Sequence, residues 1–150
     1  MRAASLLPLV LFAASAFASD VTLNPGDSID QAIYNAQPGD RILCNPGTYA
    51  GGFRYYGKDV EVIGVGGSAV TTIDSSTWIG ACVSFRDGEG AGAVLEGFTL
   101  LGGTGTNASC VFVSDSSAVI RSCVLQGGSA TYGGGLRASG STLLLDECTV

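Results

Sequence analysis

The chain contains no histidine. Every mechanism that needs imidazole as a general base is thereby excluded, and so is every metal site with a histidine ligand. Charge is scarce too: 7 basic and 13 acidic side chains make up 13% of 150 residues and leave a net charge of −6. The basic residues never form a run, so the phosphate-tracking stripe of a nucleic-acid-binding surface is missing. Prolines number 4, and no C-x-x-C occurs, which argues against a zinc knuckle or a dithiol redox motif. Beyond the N-terminus no stretch is apolar for the roughly 20 residues that a membrane span needs.

What is abundant is glycine, 23 residues, within a sequence that is 46% hydrophobic. That apolar content is too high for a disordered glycine-rich linker, and the glycines follow no three-residue period, which excludes collagen. Many Gly beside many Val, Leu and Ile point to short strands joined by tight turns.

The first residues read as an export signal. Arg2 gives a small positive region, Leu6 to Phe12 is apolar and broken only by Pro8, and Ala16-Phe17-Ala18 has the small-x-small form of a cleavage site. Residues 1–18 are therefore expected to be a removable signal peptide, with Ser19 first in a mature domain of residues 19–150 that does not span a membrane. No cysteine lies at the cleavage point, so no lipid anchor is indicated. The expected location is secreted, extracellular or at the cell surface. Five cysteines follow, at 44, 82, 110, 123 and 148. Export permits disulfides, and the count is odd.

One helix is signalled, over Ser28 to Gln37. Ser28 with Gln31 three residues on has the form of a capping box, Ile29, Ala32, Ile33 and Ala36 make one apolar stripe, and Pro38-Gly39 ends it. The rest reads as strands and turns: Arg41 to Cys44, ended by Asn45-Pro46-Gly47, then Val60 to Ile63 and Val70 to Ile73. The second half repeats with a period of 25. Leu95, Ile120 and Leu145 keep that spacing, as do Phe98, Cys123 and Cys148, and Gly102-Gly103 maps onto Gly127-Gly128. Cys82 to Phe85, Val111 to Val113 and Leu136 to Ala138 form a second series. A repeat of this length without a helix in each unit fits a coil of a parallel β-helix, in which equivalent residues stack as ladders. The expected fold is all-β: a right-handed parallel β-helix of about four coils with an N-terminal capping α-helix. Glu96, Arg121 and Asp146 alternate in sign along one ladder, as an outward stack should, because like charges directly above each other repel.

The chain resembles the pectin-lyase-like superfamily of right-handed parallel β-helix proteins. The resemblance lies in Asp27-Ser28-Ile29-Asp30-Gln31-Ala32-Ile33, Gln37-Pro38-Gly39-Asp40-Arg41-Ile42, Pro46-Gly47-Thr48-Tyr49, Gly57-Lys58 and Thr72-Ile73-Asp74. Gly133-Gly134-Gly135-Leu136 and Glu147-Cys148-Thr149 are similar to repeats of bacterial surface and autotransporter-like β-helix proteins. The resemblance implies that the helix plugs the open end of the bore. Because Val150 falls within a repeat, the expectation is an N-terminal part whose further coils and cap lie beyond it.

Enzymes of that superfamily cut acidic polysaccharides, often with Ca²⁺ held by clustered carboxylates and an Arg or Lys as base. On that reading Arg86 and Arg137 are the catalytic candidates, and Ca²⁺ enters only with it. Otherwise no cofactor and no metal ligand set is expected. Trp78, Tyr55, Tyr56 and Tyr132, with Asp87 and Glu89, are the candidate contacts to a polysaccharide or cell-surface glycan. Asn107-Ala108-Ser109 is a glycosylation sequon if the source is eukaryotic. Thr99, Val124 and Thr149 form an outward ladder in which Val breaks the continuous Thr rank of an ice-binding face. The favoured expectation is a non-catalytic exported domain for adhesion, display or glycan binding. The alternative is a lyase or hydrolase acting on acidic polysaccharides.

Overall fold

The computed structural model describes residues 17–107 and 110–150. Residues 1–16 of the expected leader lie outside the described residues, as do Ala108 and Ser109 of the sequon. Strand β1 (Asp20–Leu23) precedes the helix α1 (Ile29–Asn35). The chain then winds through β2 (Arg41–Cys44), β3 (Gly47–Ala50) and β4 (Phe53–Arg54), and again through β5 (Glu61–Gly64), β6 (Thr71–Asp74) and β7 (Val83–Phe85). The next turn holds β8 (Val94–Glu96), β9 (Thr99–Leu101), β10 (Thr104–Gly105) and β11 (Val111–Ser114). It is followed by β12 (Ser117–Arg121), β13 (Val124–Gln126), β14 (Ser129–Ala130), β15 (Leu136–Ser139) and β16 (Thr142–Asp146).

Strands pair only with equivalents from the turn before and the turn after, always in parallel. Sheet 1 is β1-β2-β5-β8-β12-β16, sheet 2 is β3-β6-β9-β13, sheet 3 is β4-β7-β11-β15, and β10-β14 is a short ribbon between sheets 2 and 3. The molecule is a parallel β-solenoid of about five turns with one helix. The expected four coils become five because the turns that start at β1 and β2 are shorter than the later 25-residue repeat. The turn that starts at β2 also contains β3, which begins at Gly47 where the sequence signals a turn.

The register explains the residue choices. In sheet 1, Ile42 pairs with Val62, Val62 with Leu95 and Leu95 with Ile120, all in the bore with no exposed surface. Leu145 continues this rank but is 42% exposed, having a neighbour on one side only. Sheet 2 contributes Tyr49, Ile73, Leu100 and Leu125, and sheet 3 contributes Val83 and Val111. Each fully buried aliphatic side chain stabilises the fold by about 1.5–3 kcal/mol.

Outside, Arg121 lies 3.1 Å from Glu96 and 3.7 Å from Asp146, as the alternating ladder requires. The first turns use the same device: Arg41 meets Asp20 at 2.6 Å and pairs in register with Glu61. Exposed pairs of this kind contribute about 0–1 kcal/mol each, so they select register more than they stabilise.

Helix α1 closes the first turn. Ser28 Oγ accepts from Gln31 N at 3.1 Å, whereas the Gln31 side chain donates to Asn35 Oδ1 at 3.3 Å, so only half of the expected capping box forms. Ile29 and Ile33 are buried over the bore. The helix stops at Asn35, two residues before the expected Gln37, for two reasons. Lys58 Nζ donates to the carbonyls of Ile33, Tyr34 and Ala36, and Asp40 Oδ2 takes the Gln37 N–H at 2.7 Å, so Ala36 is already extended. The Gln37 and Ser19 N–H groups hold the Asp40 carboxyl below the usual aspartate range.

Cys123 and Cys148 sit one turn apart as separate thiols. Cys123 Sγ approaches the carbonyls of Leu95 and Arg121, and Cys148 Sγ those of Ile120 and Asp146, their equivalents one repeat later. The two sulfurs are thus translated copies rather than facing partners.

Two outcomes are expected. Ile33→Asp buries an unpaired charge under the cap and lowers the unfolding free energy by about 4 kcal/mol, measured by denaturant titration. Mass spectrometry of the unreduced protein finds no bridge between Cys123 and Cys148.

Candidate functional site

Between sheets 2 and 3 the chain leaves the regular coil. Residues 76–81, 104–107 and 127–135 lie on successive outward loops that pair with each other through Ile79–Thr104 and through β10 and β14. These loops make a wall beside the outer face of sheet 3. Wall and face enclose an open groove of about 360 Å³.

The floor follows from the register of sheet 3. Arg54 pairs with Ser84, Ser84 with Phe112 and Phe112 with Arg137, so one outward rank has an arginine at each end. Ser84 and Phe112 line the groove, and Arg86, two residues along from Ser84 and on the same side, projects into it. Trp78 and Ile79 of the first loop, 54% and 83% exposed, form the wall with Asn107 of the second. Two glycines admit the indole and its loop. At Gly52, φ is +88° and an added Cβ would lie 3.0 Å from the Trp78 ring; at Gly103 an added Cβ would lie 2.2 Å from the Trp78 carbonyl oxygen.

The base of the Trp78 loop is fixed by Asp74. Its Oδ1 accepts from Ser76 N at 2.8 Å, and the serine hydrogen bonds hold its carboxyl below the ordinary aspartate value. Of the other candidates, Tyr132 is exposed at the far end of the wall with the Arg137 guanidinium 5.1 Å above its ring. Arg137 also donates to Asn107 Oδ1. Arg54 stacks over Tyr56 at 4.5 Å and lies 3.7 Å from Asp87, while Tyr56 Oη donates to Asp30 of α1. Among the described residues Arg86 has no carboxylate partner.

The structure therefore brings Trp78, Arg86 and Asn107 together, with Arg137 and Tyr132 at one end. Arg86 and Arg137 occupy different ranks: Arg137 continues the rank of Ser84 and Phe112. Tyr55 and Glu89 are elsewhere. Tyr55 is fully buried in the bore, its ring stacked on Phe85 at 4.3 Å and its hydroxyl donating to Val94 O, so it packs the core and presents no face to a sugar. Glu89 is 3% exposed and accepts from Gly57 N and Asp87 N, which makes it the anchor of a turn. Ser84 and Phe112 were missed as site residues. Their signal was the outward position, alternate to Val83 and Phe85, on a strand whose repeat is offset.

The chemistry available is that of recognition. Guanidinium groups, an indole, a phenyl ring and an amide share one face. Burial pushes the Cys44 thiol up to about 12 and the Cys123 thiol up to about 11, so these bore thiols stay protonated and weakly nucleophilic at neutral pH. Among the described residues no group of three or more Cys, Asp or Glu stands together as a metal site, and no helix is long and apolar enough to cross a membrane. No protein-family model, curated protein or solved structure matches the chain.

Because the folded Asp74 value is depressed, its contribution is full above the ordinary aspartate value of about 3.9 and is lost as pH falls through the lower folded value. Trp78 is the chain's single tryptophan. Its emission is expected to titrate with a midpoint below 3.9 that Asp74→Ala abolishes.

Proposed function

We propose that the chain is an exported, non-catalytic β-solenoid domain that binds an acidic glycan along the outer face of sheet 3. The pectin-lyase-like likeness and the right-handed coil belong to this reading. One observation carries it: three of the seven basic residues, Arg54, Arg86 and Arg137, stand on one face of a chain of net charge −6, beside the exposed Trp78. A guanidinium pairs with a carboxylate in a planar fork, and an indole covers the apolar face of a sugar ring. A uronate presents both features on one residue. The ladder spacing of about 4.8 Å offers such contacts in sequence along an extended polymer.

Trp78 reports the test directly. Oligogalacturonate is expected to change Trp78 emission saturably, and rising salt is expected to weaken the effect. Arg86→Ala raises Kd about tenfold, the loss of one charge-assisted hydrogen bond. A neutral oligosaccharide of equal length leaves the emission unchanged. Equal binding of both polymers, or an unaltered Kd in Arg86→Ala, contradicts the reading. The same samples, followed by absorbance for new unsaturated ends with added Ca²⁺, are expected to show no turnover. Turnover that Arg86→Ala or Arg137→Ala removes would establish the lyase alternative.

A further inference from the structure

Ser19 stands where the leader is expected to end, and both of its backbone groups are fixed. Its nitrogen lies 2.8 Å from Asp40 Oδ1, and its carbonyl accepts from Arg41 N at 2.9 Å. Asp40 is 6% exposed, and its second oxygen holds Gln37 N just past α1. One buried carboxylate thus joins the start of β1 to the end of the cap helix. Phe17 and Ala18, on the other side of the expected scissile bond, are exposed.

While the leader is attached, the Ser19 nitrogen is a neutral amide. Hydrolysis by a host leader peptidase breaks the Ala18–Ser19 C–N bond. The water oxygen goes to the Ala18 carboxylate and the protons go to the nitrogen, which becomes an α-ammonium. We infer that leader removal after Ala18 places this ammonium on Asp40 as an ion pair, so that the cap of the solenoid is locked by processing. The amide N–H already gives the carboxylate a charge-assisted hydrogen bond; the ammonium adds the attraction of a full opposite charge. The other charges close by leave the position open: Lys58 is engaged with the carbonyls at the end of α1, and Arg41 is paired with Asp20 and faces Glu61. The inference rests on the export reading and not on glycan binding.

The test uses the full chain, expressed with its leader in an exporting host. Intact mass of the released protein is expected to give Ser19 as the first residue. Thermal unfolding is then compared before and after acetylation of the α-amine. An acetylated nitrogen still donates an N–H to Asp40, so the comparison removes only the charge. At pH 6 the acetylated protein is expected to melt about 3 °C lower. An α-amine has an unfolded value of about 7.7–8.0, and pairing raises the folded one. The extra stability is therefore full below that value and lost as pH rises through the raised one. In Asp40→Asn the acetylation effect disappears. Equal melting at pH 6, or a first residue other than Ser19, overturns the ion pair. A chain released with its leader intact overturns the export reading as well.

Discussion

Every described strand lies in register on an equivalent strand of a neighbouring turn, about 4.8 Å away. Whatever occupies a position must therefore tolerate its own counterpart above and below. In the bore this favours aliphatic residues in ranks, Ile42, Val62, Leu95 and Ile120, and on the surface it favours charges that alternate, Glu96, Arg121 and Asp146. At a corner it demands glycine. An added Cβ at Gly64 would lie 2.4 Å from Gly97 O, and one at Gly97 (φ +78°) 2.6 Å from Gly64 O, so the backbones of neighbouring turns touch there.

The same constraint builds the groove. Because ranks run along the axis, Arg54, Ser84, Phe112 and Arg137 form a line without being close in sequence, and loops inserted between sheets 2 and 3 must also stack. The wall that carries Trp78 is held by the neighbouring turn through Ile79–Thr104. The cap is held by side chains instead: Ile29 and Ile33 of α1 are buried over the bore, and Lys58 and Asp40 tie the helix end to the first turns.

How much of this was legible depended on where the chain keeps its period. The second half announces its ranks because two successive turns have equal length, and Leu95, Ile120 and Leu145 fall into one register. The first half hides them behind insertions at 65–70 and 75–82, which shift the spacing without shifting the register. β3 was hidden for a different reason: Asn45-Pro46-Gly47 is turn chemistry, yet Gly47–Ala50 pairs with Thr71–Asp74. At the site, residue type alone found Trp78 and Arg86. Type alone also grouped Tyr55 with Tyr56, yet Tyr55, just past β4, goes into the bore, while Tyr56 sits in the following turn at φ +54° and meets Arg54. The burial of Glu89 depends in part on the Gly57 amide from a neighbouring turn, which no local pattern encodes.

Stacking in register is tested most directly by methyl nuclear Overhauser contacts in the full chain. The ladder predicts cross-peaks joining Ile42 to Val62, Val62 to Leu95, Leu95 to Ile120 and Ile120 to Leu145. It predicts none between Val62 and Ile120, which lie two turns apart. A missing Leu95–Ile120 contact, or a direct Val62–Ile120 contact in its place, would contradict the solenoid register and with it the groove built on sheet 3.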